Sequence, residues 1–175
     1  MKKVTGLAVA FVAGLVAVGL AVAGANSNWS QHANGSMEVP VRDSQGQAQL
    51  ILHLASDGSS LDYKLNASNI DNVFMAHIHM APRGVNGGIV VWLYPSTAPV
   101  AGPVGGGRID PGTIAEGTIT AANLVGALAG HPLADLVAAL NNGNAYVNLH
   151  TNDGVAPANT GPGDFPGGEI RGDIE

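Results

Sequence analysis

Alternating hydrophobic and polar positions predict β-strands along most of the chain beyond residue 25. Residues 48–67 show this most clearly, because Leu50 and Leu52 alternate with other residues, and Leu61 and Tyr63 do so again after an Asp-Gly turn. Successive side chains point to opposite faces of a strand, so this segment predicts a hairpin with one buried face. Similar patterns predict five further strands, at residues 74–80, 89–94, 114–119, 145–151 and 169–174.

One segment departs from this pattern and predicts a helix. Residues 132–141 begin with Pro132, a residue favoured in the first turn of helices, and end before Gly143. Their hydrophobic residues recur at helical spacing and are Leu133, Leu136, Val137 and Leu140. Residues 26–35 are polar and predict a lead-in rather than a strand. About seven short strands and one short crossover helix predict a mainly β fold, an antiparallel β-sandwich or barrel.

The first 25 residues predict export. Lys2 and Lys3 precede an uncharged stretch at residues 4–25, and small residues at its end fit a cleavage site after Ala23 or Ala25. We therefore expect residues 1–25 to be a signal peptide. The alternative is an uncleaved N-terminal anchor, because about 20 apolar residues suffice to span a bilayer. Both interpretations place the rest of the chain outside the cytoplasm, in the extracellular space, the periplasm or at the cell surface.

Residues 26–175 are expected to form one domain. The chain contains no cysteine, so packing rather than disulfide bonds must stabilise it, and thiol chemistry is excluded. Only five of its seven basic residues lie beyond the leader, against thirteen acidic residues. Nucleic acids and anionic membranes bind clustered Lys and Arg, so we expect neither as a partner, apart from membrane contact through an uncleaved anchor.

Three histidines are the candidate functional residues. His77 and His79 flank Ile78 in a predicted strand, so both imidazoles face one side, which we take to be the outer face because Ile78 points into the core. By the same alternation His150 points outward from its own strand. If the two strands are neighbours, the three imidazoles converge, and converging neutral imidazoles are typical of copper and zinc sites. The sequence thus predicts an outward-facing metal site.

Three further residues are candidates to support such a site. The thioether of Met75 lies on the histidine face of the strand and favours copper over zinc. The carboxylates of Glu38 and Glu169 are candidates to complete the ligand shell or to orient a ring. Glu169 also shares a strand face with Arg171, and this spacing predicts a structural ion pair or a clamp for an anion.

The competing interpretation assigns these histidines no ligand role. A His-x-His pair on an outer strand face is also typical of plain surface polarity, or of imidazoles that hydrogen-bond to Glu169, Asn148 or backbone and fix a loop. No Gly-x-Ser-x-Gly elbow and no phosphate-binding loop is present in the sequence. We therefore assign no catalytic residues and expect a protein that is not an enzyme.

A series of short motifs, in one order from Trp29 to Ile174, resembles the CHRD family, the domain first described in chordin and common in exported microbial proteins. The motifs are Glu38-Val39-Pro40, Ala76-His77-Ile78-His79, Gly84-Val85-Asn86-Gly87, Gly117-Thr118-Ile119-Thr120, Leu128-Ala129-Gly130, Tyr146-Val147-Asn148-Leu149-His150-Thr151, the stretch 159–168, and Glu169-Ile170-Arg171-Gly172. The resemblance covers essentially the whole chain beyond the leader.

This resemblance implies an immunoglobulin-like or Cu/Zn-dismutase-like β-sandwich without a general enzymatic activity. It implies a non-enzymatic module that binds an extracellular protein or glycan, and this is the first function we expect. The strand with His77 and His79 also resembles the copper-binding His-x-His of Cu/Zn superoxide dismutases, which implies a copper-type metal-binding protein as the alternative. The bridging histidine and zinc ligands of those enzymes have no counterpart in the sequence, so dismutase activity is not expected.

Overall fold

Eight antiparallel strands form one sheet that nearly closes on itself. The computed structural model describes residues 27–96, 102 and 104–175. Within them the strands and the single α-helix are β1 (Asn28–Asn34), β2 (Gln47–Leu54), β3 (Leu61–Ser68), β4 (Ile70–Asp71), β5 (Val73–Met80), β6 (Gly88–Tyr94), β7 (Arg108–Ile109), β8 (Gly112–Ile119), α1 (Leu133–Asn141), β9 (Ala145–Thr151) and β10 (Ile170–Ile174).

The strand order explains how distant segments of the chain become neighbours. The sheet runs β6-β5-β9-β10-β1-β2-β3-β8, and β4 pairs separately with β7. The strand β9 therefore lies between β5 and β10, although the helix and several loops separate it from β5 along the chain. At the open edges β6 approaches β8, and the Tyr63 hydroxyl of β3 donates a hydrogen bond to the Leu93 carbonyl of β6. The mainly β fold predicted from the sequence is confirmed.

The interior of this sheet is a continuous hydrophobic core. The predicted hairpin is present as β2 and β3, and its inward residues Leu50, Leu52, Leu61 and Leu65 are almost fully buried. The predicted helix is also present, with Leu136 and Leu140 fully buried in the same core. Hydrophobic burial of this kind stabilises a fold that has no disulfide bond.

The first described strand corrects one prediction. Residues 26–35 were expected to be a polar lead-in, yet β1 pairs along its length with β2 and at Asn34 with β10. Its inward residues Trp29 and Ala33 are buried. Gln31 stands between them at the middle inward position and is half-buried. A polar residue at that position interrupts the hydrophobic alternation, so the sequence pattern does not indicate a strand there.

The two faces of β9 show that the sheet is covered on both sides in this region. Val147 and Leu149 point into the core, as predicted, but Tyr146, Asn148 and His150 on the other face are buried as well. Loops close over that second face, and it is the location of the three histidines.

The predicted leader, residues 1–25, lies outside the described residues. Among the residues that the structure does describe, no helix has the length and apolarity needed to cross a membrane.

Candidate metal centre

Three histidines lie side by side on two neighbouring strands. His77 and His79 belong to β5 and His150 to β9, and the two strands pair in antiparallel register. Residues two apart in a strand share a face, so both imidazoles of β5 point away from the core residue Ile78. One ring nitrogen from each histidine lies within 4.8 Å of the others. The strand order therefore brings together three residues that the sequence placed on one face of two separate strands.

The three rings are buried, which corrects the prediction that they face outward. The exposed fractions of His77, His79 and His150 are 0%, 8% and 7%. They lie on the face of the sheet opposite the core, but loop backbone packs against that face at Gly87 and Pro166. The interpretation of the His-x-His pair as plain surface polarity is wrong for the same reason.

Backbone carbonyl groups orient two of the three rings. His79 Nδ1 lies 3.0 Å from the Gly87 carbonyl oxygen, and His150 Nδ1 lies 2.9 Å from the Pro166 carbonyl oxygen. A carbonyl oxygen only accepts hydrogen bonds, so Nδ1 of each neutral ring carries the proton and Nε2 carries the lone pair. The predicted alternative, in which the imidazoles bond to backbone, is confirmed for these two rings. Their lone pairs at Nε2 face away from these carbonyl groups.

The third ring is oriented by its neighbour. His77 Nδ1 lies 3.2 Å from Nε2 of His150. Because Nε2 of His150 is an acceptor, His77 donates its Nδ1 proton and holds its own lone pair at Nε2. Among the described residues, Nε2 of His77 and Nε2 of His79 are buried and have no hydrogen-bond partner. Buried polar atoms are nearly always hydrogen-bonded, so these two lone pairs are the unused acceptor positions of the cluster.

Burial keeps the three imidazoles neutral. Desolvation, with a smaller contribution from the charges of His150 and His79, lowers the pKa of His77 to about 3. Desolvation and the charge of His79 lower the pKa of His150 to about 4. Desolvation also lowers the pKa of His79, against the effect of its bond to Gly87. A metal ion binds the neutral imidazole, so these rings are ready to act as ligands at neutral pH.

Two aromatic rings restrict the movement of the histidines. Trp92 of β6 makes an edge contact with His77, with 4.2 Å between ring centroids. Tyr146 stacks on His79 at 4.9 Å, with 11° between the ring planes. Rings packed in this way hold their rotamers, which lowers the entropy that binding of a metal ion would cost.

The candidate supporting residues lie at the edge of the cluster. Met75 is half-buried and stands opposite His150 in the ladder between β5 and β9. Glu38 is buried and accepts a 2.7 Å hydrogen bond from Asn148 Nδ2, and Asn148 stands opposite His77. Burial raises the pKa of Glu38, and the bond from Asn148 opposes that rise. The ligand group found among the described residues consists of the three histidines and contains no carboxylate.

The predicted pair of Glu169 with Arg171 is wrong. Arg171 is fully buried and pairs with Asp173, whose carboxylate lies 2.7 Å from its Nη2 atom, and it stacks over the Tyr146 ring. Glu169 accepts hydrogen bonds from Ser44 and Thr151 instead. Side chains two apart share a strand face, but Arg171 pairs with Asp173, the next residue on that face of β10, and the partners of Glu169 come from other segments.

A comparison with protein families identifies the chain. A family model described as the CHRD domain matches residues 29–174. This chain belongs to the CHRD domain family. The resemblance seen in the sequence motifs is thereby confirmed. No curated protein and no solved structure matches this CHRD domain.

Sequence reasoning found the histidines of this CHRD domain but missed the groups that orient them. Trp92 carries a signal in the sequence, since it lies in a predicted strand next to the His-x-His strand. The carbonyl groups of Gly87 and Pro166 carry none, because any residue type offers a carbonyl and only the path of the loop brings it to a ring.

Proposed function

We propose that this CHRD domain is exported and binds a copper-type metal ion through His77, His79 and His150. The observation that carries the proposal is the convergence of three buried, neutral imidazoles within 4.8 Å. Backbone carbonyls accept the Nδ1 protons of two of them and leave Nε2 for a metal. Metal-bound histidines almost always donate their other ring N–H to such an acceptor.

The spacing of the rings supports the same conclusion. Metal–nitrogen bonds of about 2.0–2.1 Å in a tetrahedral centre place the ligand nitrogens roughly 3.4 Å apart. His77 Nδ1 and His150 Nε2 are 3.2 Å apart, close to that value, so this pair fits a metal ion once the Nδ1 proton of His77 has been displaced from between the rings. The greatest separation, 4.8 Å, requires a ring movement of about 1 Å. Side-chain rotations achieve such a movement without displacing a strand.

Copper fits the surroundings better than zinc. Met75 stands opposite His150 in the ladder between β5 and β9, and a soft thioether at this position favours copper. Structural zinc sites in proteins are closed by four protein ligands, usually with cysteine, and this chain has no cysteine. We assign the ion a binding role and no catalytic step.

The other expected function, a module that binds an extracellular protein or glycan, stays a prediction. We prefer the metal because three histidines converge in one buried cluster and backbone carbonyls orient two of their rings. No comparable set of converging groups for a protein or glycan is observed among the described residues.

The direct test is metal analysis of untagged protein. Mass spectrometry of the purified protein, with calorimetric titration of Cu²⁺ and Zn²⁺, is expected to show roughly one copper-type ion per chain, as a single three-histidine site requires. The double variant His77→Ala/His79→Ala is expected to lose binding. The matched control His32→Ala/His53→Ala removes two exposed histidines and is expected to retain it. Substoichiometric copper in the wild type, or binding that survives the first pair, would contradict the proposal.

A further inference from the structure

The loop that orients His150 is fixed by one buried carboxylate. Glu169 Oε2 accepts hydrogen bonds from the Gly163 amide at 2.8 Å and from the Thr151 hydroxyl at 2.5 Å. The same hydroxyl accepts the Phe165 amide at 2.9 Å. Phe165 directly precedes Pro166, whose carbonyl accepts the His150 proton. Glu169 therefore determines where the loop presents that carbonyl.

A buried guanidinium fixes the loop that orients His79. Arg171 Nη1 donates to the Val85 carbonyl at 3.0 Å and lies 3.3 Å from Asn86 Oδ1. Its guanidinium carbon lies 3.6 Å from the centroid of the Tyr146 ring, and the hydroxyl of Tyr146 accepts the Gly87 amide at 3.0 Å. The carbonyl of Gly87 then accepts the His79 proton. Arg171 and Tyr146 together hold in place the loop that carries Gly87.

Gly87 meets a steric requirement of this arrangement. A Cβ atom at Gly87 would lie 2.0 Å from the Met80 carbonyl oxygen, so no other residue fits without a backbone shift. The loop thus approaches its own strand closely, and small changes in its anchors move the carbonyl relative to the His79 ring.

We propose that Glu169 and Arg171 are positioning residues and that each acts on a different histidine. Glu169 fixes the tautomer of His150, and Arg171 fixes that of His79. Each acts through a loop carbonyl and neither touches the space between the rings. The inference deepens the proposed function and rests on it for the consequence that metal affinity depends on both residues.

The physical reason lies in the two tautomers of a neutral imidazole. Without a carbonyl at Nδ1, a ring exchanges its proton between the two nitrogens, and the tautomer with the proton on Nε2 has no lone pair to offer there. Residues that fix a ligand in this indirect way typically contribute 10–100-fold to metal affinity. A substitution at Glu169 is therefore expected to change His150 and not His79, and a substitution at Arg171 is expected to change His79 and not His150.

Crossed substitutions test this division. In metal-free protein, two-bond ¹⁵N–¹H NMR spectra are expected to show the Nδ1–H tautomer at both His79 and His150. Glu169→Gln is expected to give a mixture of tautomers at His150, and at His77 that donates to it, while His79 keeps its tautomer. Arg171→Lys is expected to give a mixture at His79 while His150 keeps its tautomer. Lysine keeps the charge but loses the fork of donors that Arg171 uses. The matched controls Glu116→Gln and Arg108→Lys change exposed residues and are expected to leave both rings unchanged.

The affinity for Cu²⁺ is measured in the same variants. Titration with Cu²⁺ is expected to give a dissociation constant about 10–100-fold higher for each crossed variant than for its control. If Arg171→Lys does not fold, Tyr146→Phe replaces it, because this change removes the hydroxyl that accepts the Gly87 amide and keeps the ring that stacks on His79.

The outcomes separate this inference from the proposed function. Folded variants in which both tautomers stay fixed, or in which each substitution affects both histidines alike, would overturn the positioning roles. A wild-type protein that binds no copper while its tautomers respond as expected supports the positioning roles and overturns the metal proposal. Copper binding of unchanged affinity in both variants overturns the positioning roles alone.

Discussion

Nδ1 of His77 lies 3.2 Å from Nε2 of His150, although 73 positions separate the two residues in the chain. The ladder between β5 and β9 creates this contact, and the Pro166 carbonyl determines its direction by holding the proton of His150 at Nδ1. The hydrogen bond occupies the nitrogen that a metal ion needs. A metal ion that binds His150 must therefore displace the proton of His77 from between the rings.

Metal binding is expected to stabilise the folded protein. A ligand present at 100 times its dissociation constant adds about 2.7 kcal/mol to the free energy of unfolding. For a domain of this size that corresponds to a rise in Tm of roughly 5–10 °C, measured by circular dichroism with and without Cu²⁺. A chelator is expected to reverse the rise.

The variant His150→Asn is expected to lose this rise, because it removes one of the three ligands. Its control is His131→Asn, which changes an exposed histidine bonded to Asp135. A rise of equal size in both variants would show that the stabilising ion binds elsewhere.

The stability of the metal-free protein is expected to fall below about pH 6.5. The folded state holds the pKa of His77 at about 3 and that of His150 at about 4, whereas both titrate near 6.5 in the unfolded chain. Between these values the unfolded state binds more protons, so acid favours unfolding. Each histidine removes up to about 1.4 kcal/mol of stability per pH unit in this window.

Urea denaturation between pH 7 and 5 with a chelator present measures this dependence. The slope is expected to be shallower in His150→Asn, since asparagine keeps an N–H donor near the Nδ1 position and does not titrate. Glu38 acts in the opposite direction, because its pKa is raised in the folded state. A free energy of unfolding that is constant from pH 7 to 5 would show that the histidines are not buried as neutral rings.

The sequence was sufficient for the features that depend on local pattern. Strand alternation placed His77 and His79 on one face and Ile78 on the other, and helical spacing located α1 with its buried Leu136 and Leu140. These predictions rest on geometry that repeats every two or 3.6 residues, and the structure has the same periods.

Features that depend on distant contacts were out of reach. The face of the sheet that carries the histidines was expected to be open, yet Arg42 donates to the Gly168 carbonyl 126 positions away and so ties a loop after β1 to the loop before β10. Such tertiary contacts decide which segments cover a polar face, and they produce no periodic pattern in the sequence. The same reason explains why Glu169 bonds to Ser44 and Thr151 rather than to Arg171.

The missed strand β1 leads to a prediction about stability. Trp29 is 3% exposed and packs in the hydrophobic core. The substitution Trp29→Ala is expected to lower the free energy of unfolding by about 3 kcal/mol, the low end of the range for buried aromatic residues. The low end is expected because the indole N–H is buried without a hydrogen-bond partner among the described residues, and its removal relieves that cost.

Chemical denaturation of the purified variants measures the change at Trp29. The neighbouring substitution Asn28→Ala alters an exposed residue and is expected to change stability by less than about 1 kcal/mol. Equal effects of the two substitutions would contradict the placement of Trp29 in the core.

Two adjacent glycines offer the sharpest comparison. A Cβ atom at Gly168 would lie 2.0 Å from Glu38 Oε1 and 2.6 Å from Asn148 Oδ1, and the φ angle of Gly168 is +127°. At Gly167 a Cβ atom would meet no atom within 4 Å. Gly168→Ala is therefore expected to lower the free energy of unfolding by about 2–4 kcal/mol through backbone strain and overpacking. Gly167→Ala is expected to stay within about 1 kcal/mol of the wild type.

The clash at Gly168 is expected to affect metal binding as well as stability, because it involves Glu38 and Asn148, two polar residues next to the histidines. Displacing Asn148 disturbs the position opposite His77 in the ladder between β5 and β9. Gly168→Ala is thus expected to weaken Cu²⁺ binding as well, while Gly167→Ala leaves it unchanged. Calorimetric titration of both variants, below their denaturation temperatures, measures this difference. Unchanged stability and unchanged binding in Gly168→Ala would contradict the close packing of Glu38 and Asn148 against this glycine.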